Sequence, residues 1–197
     1  MGLSEKEILD IFCNSGALQE GHFLLTSGLH SDRYIEKFKV LQSPQYTDLL
    51  CGEIARRFEK AGIEVVVGPA TGGILLAYAV GRILQTRAIF TERESNRMML
   101  RRGFGLRAGE RVLVVEDVIT TGGSVNEVIE VVLDQEAKLS GVGLLVDRSG
   151  GKVNFSAPTE ALLKLDLETF LPENCPLCRK QIPLRKPGSK KIPVEQG

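Results

Sequence analysis

Apolar residues recur along the chain in two rhythms, short unbroken runs suited to buried strands and spacings of three and four suited to one face of a helix. Ser4 and Glu7 form a capping box ahead of Ile8, Leu9, Ile11 and Phe12, and Asn14, Ser15 and Gly16 close that helix. The next stretch, GHFLLTSGLHSDRYIEKFKVL, mixes strand-like pieces with Ser-Gly turns and predicts a small N-terminal cap whose polar groups face a ligand. Ser43 and Pro44 open a helix with Leu49, Leu50, Ile54 and Phe58 inward and Gly62 at its end. Four apolar runs follow: EVVVGPATGG, RAIFTE, RVLVVEDV and GVGLLVDRSGG. Helical spacing returns after the first, over Ile74 to Leu84, and after the third, where Val125, Val128, Ile129, Val132 and Leu133 share a face. Alternation of this kind predicts an α/β domain with a parallel sheet of about five strands flanked by helices. Residues 1–197 read as one domain: a hood mainly over 1–42, a core over about 43–170, and a C-terminal CxxC and basic tail over 171–197.

Composition narrows the partners. Twenty-five Lys and Arg balance 25 Asp and Glu, so nothing global points to nucleic acid or an anionic membrane. The N-terminus lacks the basic start and apolar core of a signal peptide, and ILLAYAV is too short to span a bilayer, so a cytoplasmic location is expected. Cys13, Cys51, Cys175 and Cys178 are too few and scattered for a disulfide framework and are expected to be reduced.

The third run poses the chemical question. VLVVEDVITTGGS, residues 112–124, begins as a strand for burial on both faces and ends in two adjacent acids, Glu116 and Asp117, which cannot share that environment uncompensated. In the turn that follows, Gly122 and Gly123 allow close backbone approach while Thr120, Thr121 and Ser124 add hydroxyls at a helix start, which suits a phosphate. It is neither a Walker A loop, since Val125 follows Ser124 and no Lys is present, nor GxGxxG. A phosphate about 8 Å from the acids would be repelled by roughly 2 kcal/mol per unit pair at an effective dielectric of about 20. A ribose diol on the acids, with Mg²⁺ and its waters nearby, relieves this and joins the acids to the sugar's own 5′-phosphate. GPATGG, Gly68 to Gly73, makes a second anion seat with no charged side chain. Phosphate, diol and diphosphate in that order are the layout of 5-phosphoribosyl 1-diphosphate.

VLVVEDVITTGGS resembles the phosphoribosyl-diphosphate signature of the type I phosphoribosyltransferases, and GPATGG resembles their pyrophosphate loop. HFLLTSGLHSDRY and VDRSGG are similar to one branch, the orotate phosphoribosyltransferases, and the likeness covers most of residues 15–151. The resemblance implies that orotate and 5-phosphoribosyl 1-diphosphate give orotidine 5′-monophosphate and diphosphate in pyrimidine (UMP) biosynthesis, with Mg²⁺ and in a homodimer with shared active sites. It implies that Glu116, Asp117, Val118, Ile119, Thr120, Thr121, Gly122, Gly123 and Ser124 bind the phosphoribosyl group, that Ala70, Thr71 and Arg93 meet the diphosphate, and that Thr120, Arg148 and Tyr34 meet orotate. Glu116, Asp117, Arg93 and Arg101 are the expected catalytic set. Mg²⁺ is expected through substrate and waters near the two acids, with no direct protein ligand. A guanidinium at Arg148 suits a carboxylate by geometry. Two rival readings stay open: transfer to another base, or a non-catalytic regulator that senses the activated sugar.

Several positions depart from the family pattern. No lysine lies between Lys60 and Lys138, Gly72 stands near the place of the pyrophosphate-loop lysine, and Thr26 takes another position often held by lysine. The mobile loop, TERESNRMMLRRGF, carries Arg93, Arg97, Arg101 and Arg102, which neutralise charge but are poor proton donors. CPLC, Cys175 to Cys178, is one knuckle of a possible zinc site; the spacing shows no second CxxC and no clear His pair, leaving pairing across two copies, a redox role, or unligated packing. The tail from Arg179 to Lys191 reads as an extended basic appendage.

Overall fold

The computed structural model describes residues 2–187. In chain order the elements are α1 (Glu5–Asn14), β1 (Leu18–Leu24), β2 (His30–Ile35), α2 (Lys37–Leu41), α3 (Pro44–Phe58), β3 (Val65–Pro69), α4 (Gly72–Leu84), β4 (Arg87–Glu94), β5 (Arg97–Leu100), β6 (Arg111–Ile119), α5 (Gly123–Asp134), β7 (Lys138–Asp147), β8 (Thr159–Lys164), β9 (Thr169–Phe170), a 3₁₀ turn at Pro172–Asn174 and α6 (Pro176–Arg179). The Ser4–Glu7 capping box is formed, and Ser43 caps α3 ahead of Pro44 at its first turn.

Strand order in the main sheet is β5-β4-β3-β6-β7-β8, with every pairing parallel except β4 with β5. The four apolar runs form its centre. β8 and β5 were not apparent in the sequence: each is a short edge strand with half its positions outside the core, so neither produces an apolar run. Sequence periodicity also placed Leu49 and Leu133 inward, yet they are 49% and 55% exposed. Each sits beside a fully buried neighbour, Leu50 or Val132, and one residue is a 100° rotation that carries it past the narrow stripe facing the sheet.

Alternate residues of β6 divide the core. Leu113 and Val115 pack with α1, α3 and α4 on one face, and Val112 and Val114 pack with α5 on the other. From the adjacent central strands β3 and β6 the chain crosses outward in opposite directions, through α4 to β4 and through α5 to β7. A sheet that reverses its winding in this way leaves a crevice between the carboxyl ends of those two strands. Those ends carry GPATGG and EDVITTGGS.

β1 and β2 form an antiparallel hairpin to which β9 adds a third strand, making a separate small sheet. The hood is therefore built from both ends of the chain. The tail sequence from residue 188 onward lies outside the described residues.

Tight packing of α3 on the sheet depends on two glycines of β7. A Cβ at Gly141 would run into the Phe58 ring, and one at Gly143 would press on Ile54. We expect Gly141→Ala to cost about 1–3 kcal/mol through overpacking, read as a lower urea midpoint with unchanged slope; an unchanged midpoint would show that Phe58 has room to move.

Candidate active site

The two acids of β6 part company. Glu116 lies on the α5 side, where Ser124 Oγ donates to its Oε2 at 2.8 Å and the Asp117 amide donates to its Oε1 at 3.0 Å. Asp117 lies on the α4 side, accepts from the Val118 amide at 2.7 Å, and is held by Lys37, whose Nζ is 2.9 Å from Oδ1 and 2.8 Å from Oδ2. Both side chains are buried. Burial, with the adjacent Asp117 charge, pushes the Glu116 carboxyl up to about 7, against the opposing bonds from the Asp117 amide and Ser124.

Lys37 was not among the residues singled out from the sequence. It stands at the first position of α2, far in sequence from the signature, and only the packing of the hood against β6 makes it the partner of Asp117. The same packing explains Gly72. A Cβ there would strike Asp117 Oδ2, so no lysine fits at that position, and the cation on this side of the crevice comes from the hood instead. Gly68 and Gly73 are required for a related reason, because a Cβ on either would collide with the backbone of the other turn of GPATGG.

The helices that begin at the crevice differ at their starts from the three that precede them. α1, α2 and α3 are capped by the side chains of Ser4, Glu36 and Ser43, whereas α4 and α5 have no side-chain cap. Their first-turn amides are thus available to an anion. Gly122, at φ +73°, turns the chain into α5, and a Cβ there would meet Val153 and Phe155. On the other cradle the Ala70 amide is already bonded to Thr91 O at 2.8 Å, so the free donors begin at Thr71. The Ala70–Thr71 peptide is cis.

A cavity of about 550 Å³ opens beside the signature, lined by Thr120 and Thr121, by Tyr34, Thr26 and Leu25 of the hood, and by Arg148 and Ser149 after β7. Two of its polar atoms are buried without a protein partner, Arg148 Nε and Ser149 Oγ. Burial also lowers the Arg148 pKa, with Tyr34 opposing. An orphaned guanidinium nitrogen and hydroxyl side by side suit a ligand carboxylate. The Tyr34 ring centroid lies 5.7 Å from that of Phe23, and Tyr34 also lines the cavity.

The arginines lie elsewhere in the chain. Arg93 and Arg101 sit on or just after the β4–β5 hairpin, paired with Glu127 at 2.6 Å and Glu94 at 3.1 Å, while Arg102 meets Glu92 at 3.1 Å. None of these, nor Arg97, lines the 550 Å³ cavity. The CPLC cysteines are free thiols, as are Cys13 and Cys51. They do not need a second copy to find partners: His22 and His30 of the hood hairpin meet Cys175 and Cys178 within one chain, which corrects the expectation that a His pair was lacking.

Residues 40–170 match the model of the phosphoribosyl transferase domain. The chain is 57% identical to the orotate phosphoribosyltransferase of Desulforamulus reducens over 190 residues, 96% of this chain and all of that one. It is 52% identical to the Thermotoga maritima orotate phosphoribosyltransferase, covering 94% of this chain and 97% of the relative. It belongs to the phosphoribosyltransferase family, in the orotate phosphoribosyltransferase branch. Among solved structures, the orotate phosphoribosyltransferase of Aeropyrum pernix superposes with a TM-score of 0.65 at 25% identity, over 80% of this chain and 93% of that one. An adenine phosphoribosyltransferase from Saccharomyces cerevisiae reaches 0.62 at 18% identity, covering 79% and 99%, and so shares the fold. Among the described residues no helix is long and apolar enough to cross a membrane.

The raised Glu116 pKa gives a stability prediction. A carboxyl that titrates near 7 when folded and near 4.5 when unfolded binds its proton more tightly in the native state, so its contribution is full below about 4.5 and is lost as pH rises to 7. Without ligand, the wild type should lose stability relative to Glu116→Gln across that window, on the order of 3 kcal/mol. Parallel denaturation midpoints for the two chains from pH 5 to pH 8 would refute it.

Proposed function

We propose that the chain transfers the phosphoribosyl group of 5-phosphoribosyl 1-diphosphate to orotate, giving orotidine 5′-monophosphate and diphosphate, as a cytoplasmic enzyme of pyrimidine biosynthesis. The observation that carries this reading is the crevice itself: two uncapped helix starts, a carboxylate pair between them, and an unpartnered Arg148 Nε and Ser149 Oγ at the far end. The 5′-phosphate rests on the amides and hydroxyls of Thr120 to Ser124. Thr71 to Gly73 receive the diphosphate, and the ribose hydroxyls meet Glu116 and Asp117. Orotate enters the cavity with its carboxylate on Arg148 and its ring beside Tyr34 and Thr120.

Reaction breaks the bond from the anomeric carbon to the diphosphate oxygen and forms one to N1 of deprotonated orotate. Positive charge gathers on the sugar in the transition state, and the acids beneath it stabilise that charge in a site shielded from water. Lys37 holds Asp117 fixed in direction. Magnesium suits this site as an ion carried by substrate oxygens, because both acids already have protein partners; Glu116 and Asp117 would meet its waters, and it would neutralise the departing diphosphate.

The second copy supplies what this chain lacks. Leu75 and Tyr78 on α4 and Leu49 on α3 are exposed apolar residues on one side of the sheet, the kind of patch a homodimer covers. Arg93 and Arg101, exposed and away from their own cavity, serve the diphosphate of the neighbouring site. Another base is disfavoured by Arg148, since uracil and the purines have no carboxylate to pair with it.

Steady-state assays with orotate, uracil and purine bases, following diphosphate release, test the assignment. Only orotate should turn over, and Arg148→Ala should raise its KM by roughly 10- to 100-fold; faster release with another base, or an unchanged KM, would defeat the reading. Arg93→Ala/Arg101→Ala and Asp117→Asn chains should each lose on the order of a hundredfold in kcat, and mixed dimers of the two should recover part of the activity. Absence of recovery on mixing would place the arginines outside the shared site.

A further inference from the structure

We infer that His22, His30, Cys175 and Cys178 form a structural zinc site that fastens the C-terminal segment to the hood. Their ligand atoms all lie within 4.8 Å of one another. His22 Nε2 is 2.8 Å from His30 Nδ1, 3.5 Å from Cys175 Sγ and 3.7 Å from Cys178 Sγ, and Cys178 Sγ is 3.3 Å from His30 Nδ1. Tetrahedral zinc, with bonds of about 2.1 Å to nitrogen and 2.3 Å to sulfur, sets neighbouring ligand atoms roughly 3.4–3.8 Å apart. These three nitrogen–sulfur separations already lie close to that range, and the two imidazoles would part by about half an ångström to admit the ion.

Local structure aims each donor inward. Leu24 is the cross-strand partner of His30, His22 lies in the irregular stretch between Glu20 and Phe23 where the register shifts, and the two imidazoles meet there. Phe170 pairs with His30 as β9, which brings the returning chain alongside, and the single turn of α6 presents both thiols of CPLC. His22 Nδ1 donates to Ile182 O at 2.7 Å, a bond that fixes the tautomer and leaves Nε2 free to bind a metal. Two thiolates and two neutral imidazoles around Zn²⁺ sum to zero charge, which suits ligands of which His22, His30 and Cys175 are buried.

The segment needs such a fastening. Leu171, Ile182 and Leu184 are exposed, and among the described residues none beyond Leu167 belongs to either apolar core cluster. Besides β9, two backbone bonds between Arg185 and the hairpin, and the bonds from Ser31 Oγ to Glu168 O and His22 Nδ1 to Ile182 O, the metal ligands link segment and hood. Tyr34, Leu25 and Thr26 on the hairpin line the base cavity, so the ion also holds one wall of that cavity in place.

The test uses the full chain, purified without a histidine tag and under reducing conditions. Elemental analysis after zinc titration and desalting should give one zinc per chain, and cobalt(II) should give the intense visible bands of tetrahedral thiolate coordination. Cys178→Ser should lose the tight zinc while Cys13→Ser keeps it. Removing zinc with a chelator should lower the melting temperature and weaken orotate binding more than binding of the activated sugar. A folded wild type that takes up no zinc, an octahedral cobalt spectrum, or full retention in Cys178→Ser would overturn the site. None of these readouts depends on catalysis, so the outcome is separate from that of the proposed reaction.

Discussion

Glu116 and Asp117 end a strand buried on both faces, and because neighbouring side chains of a strand point to opposite sides, each acid enters a different layer of the molecule. Neither charge is tolerable there without a partner. Glu116 is met by Ser124 from the start of α5, and Asp117 by Lys37 from the hood, across a gap kept clear by Gly72. The arrangement joins three separate parts of the chain at the point where the sheet reverses its winding, and the ligand cradles are arranged around it.

The partition also gives the two acids unequal electrostatics. Asp117 keeps an ammonium against both oxygens, whereas Glu116 has a hydroxyl and an amide and is pushed toward its neutral form. A sugar that brings hydroxyls and developing positive charge to this pair relieves the unfavourable half of the arrangement.

The wall of the cavity beside the signature draws on distant parts of the chain. The hairpin of β1 and β2 supplies Tyr34 and Thr26, the loop after β7 supplies Arg148 and Ser149, and the segment from β9 to Arg185 backs the hairpin from behind. Structures of orotate and adenine enzymes share the core fold with this chain, so the fold alone does not set the base.

Much of this was legible in the residues. Apolar runs located the four central strands, the Ser4–Glu7 capping box and Pro44 located the starts of α1 and α3, and the acids with the glycine turn after β6 marked the proposed ligand cradle, because each of these signals is local and reflects burial, capping or backbone freedom within a few residues. What stayed hidden depends on distance. Lys37 and Asp117 are separated by 80 residues, and His22 and Cys175 by 153. No periodicity records such a pairing, and the edge strands β5 and β8 lack the double burial that makes a strand visible. The chain by itself determined which segments could be strands, helices and anion cradles; the winding of the sheet and the return of the C-terminal segment to the hood decided which polar groups meet, since side-chain contact is a property of the packed fold and not of sequence order.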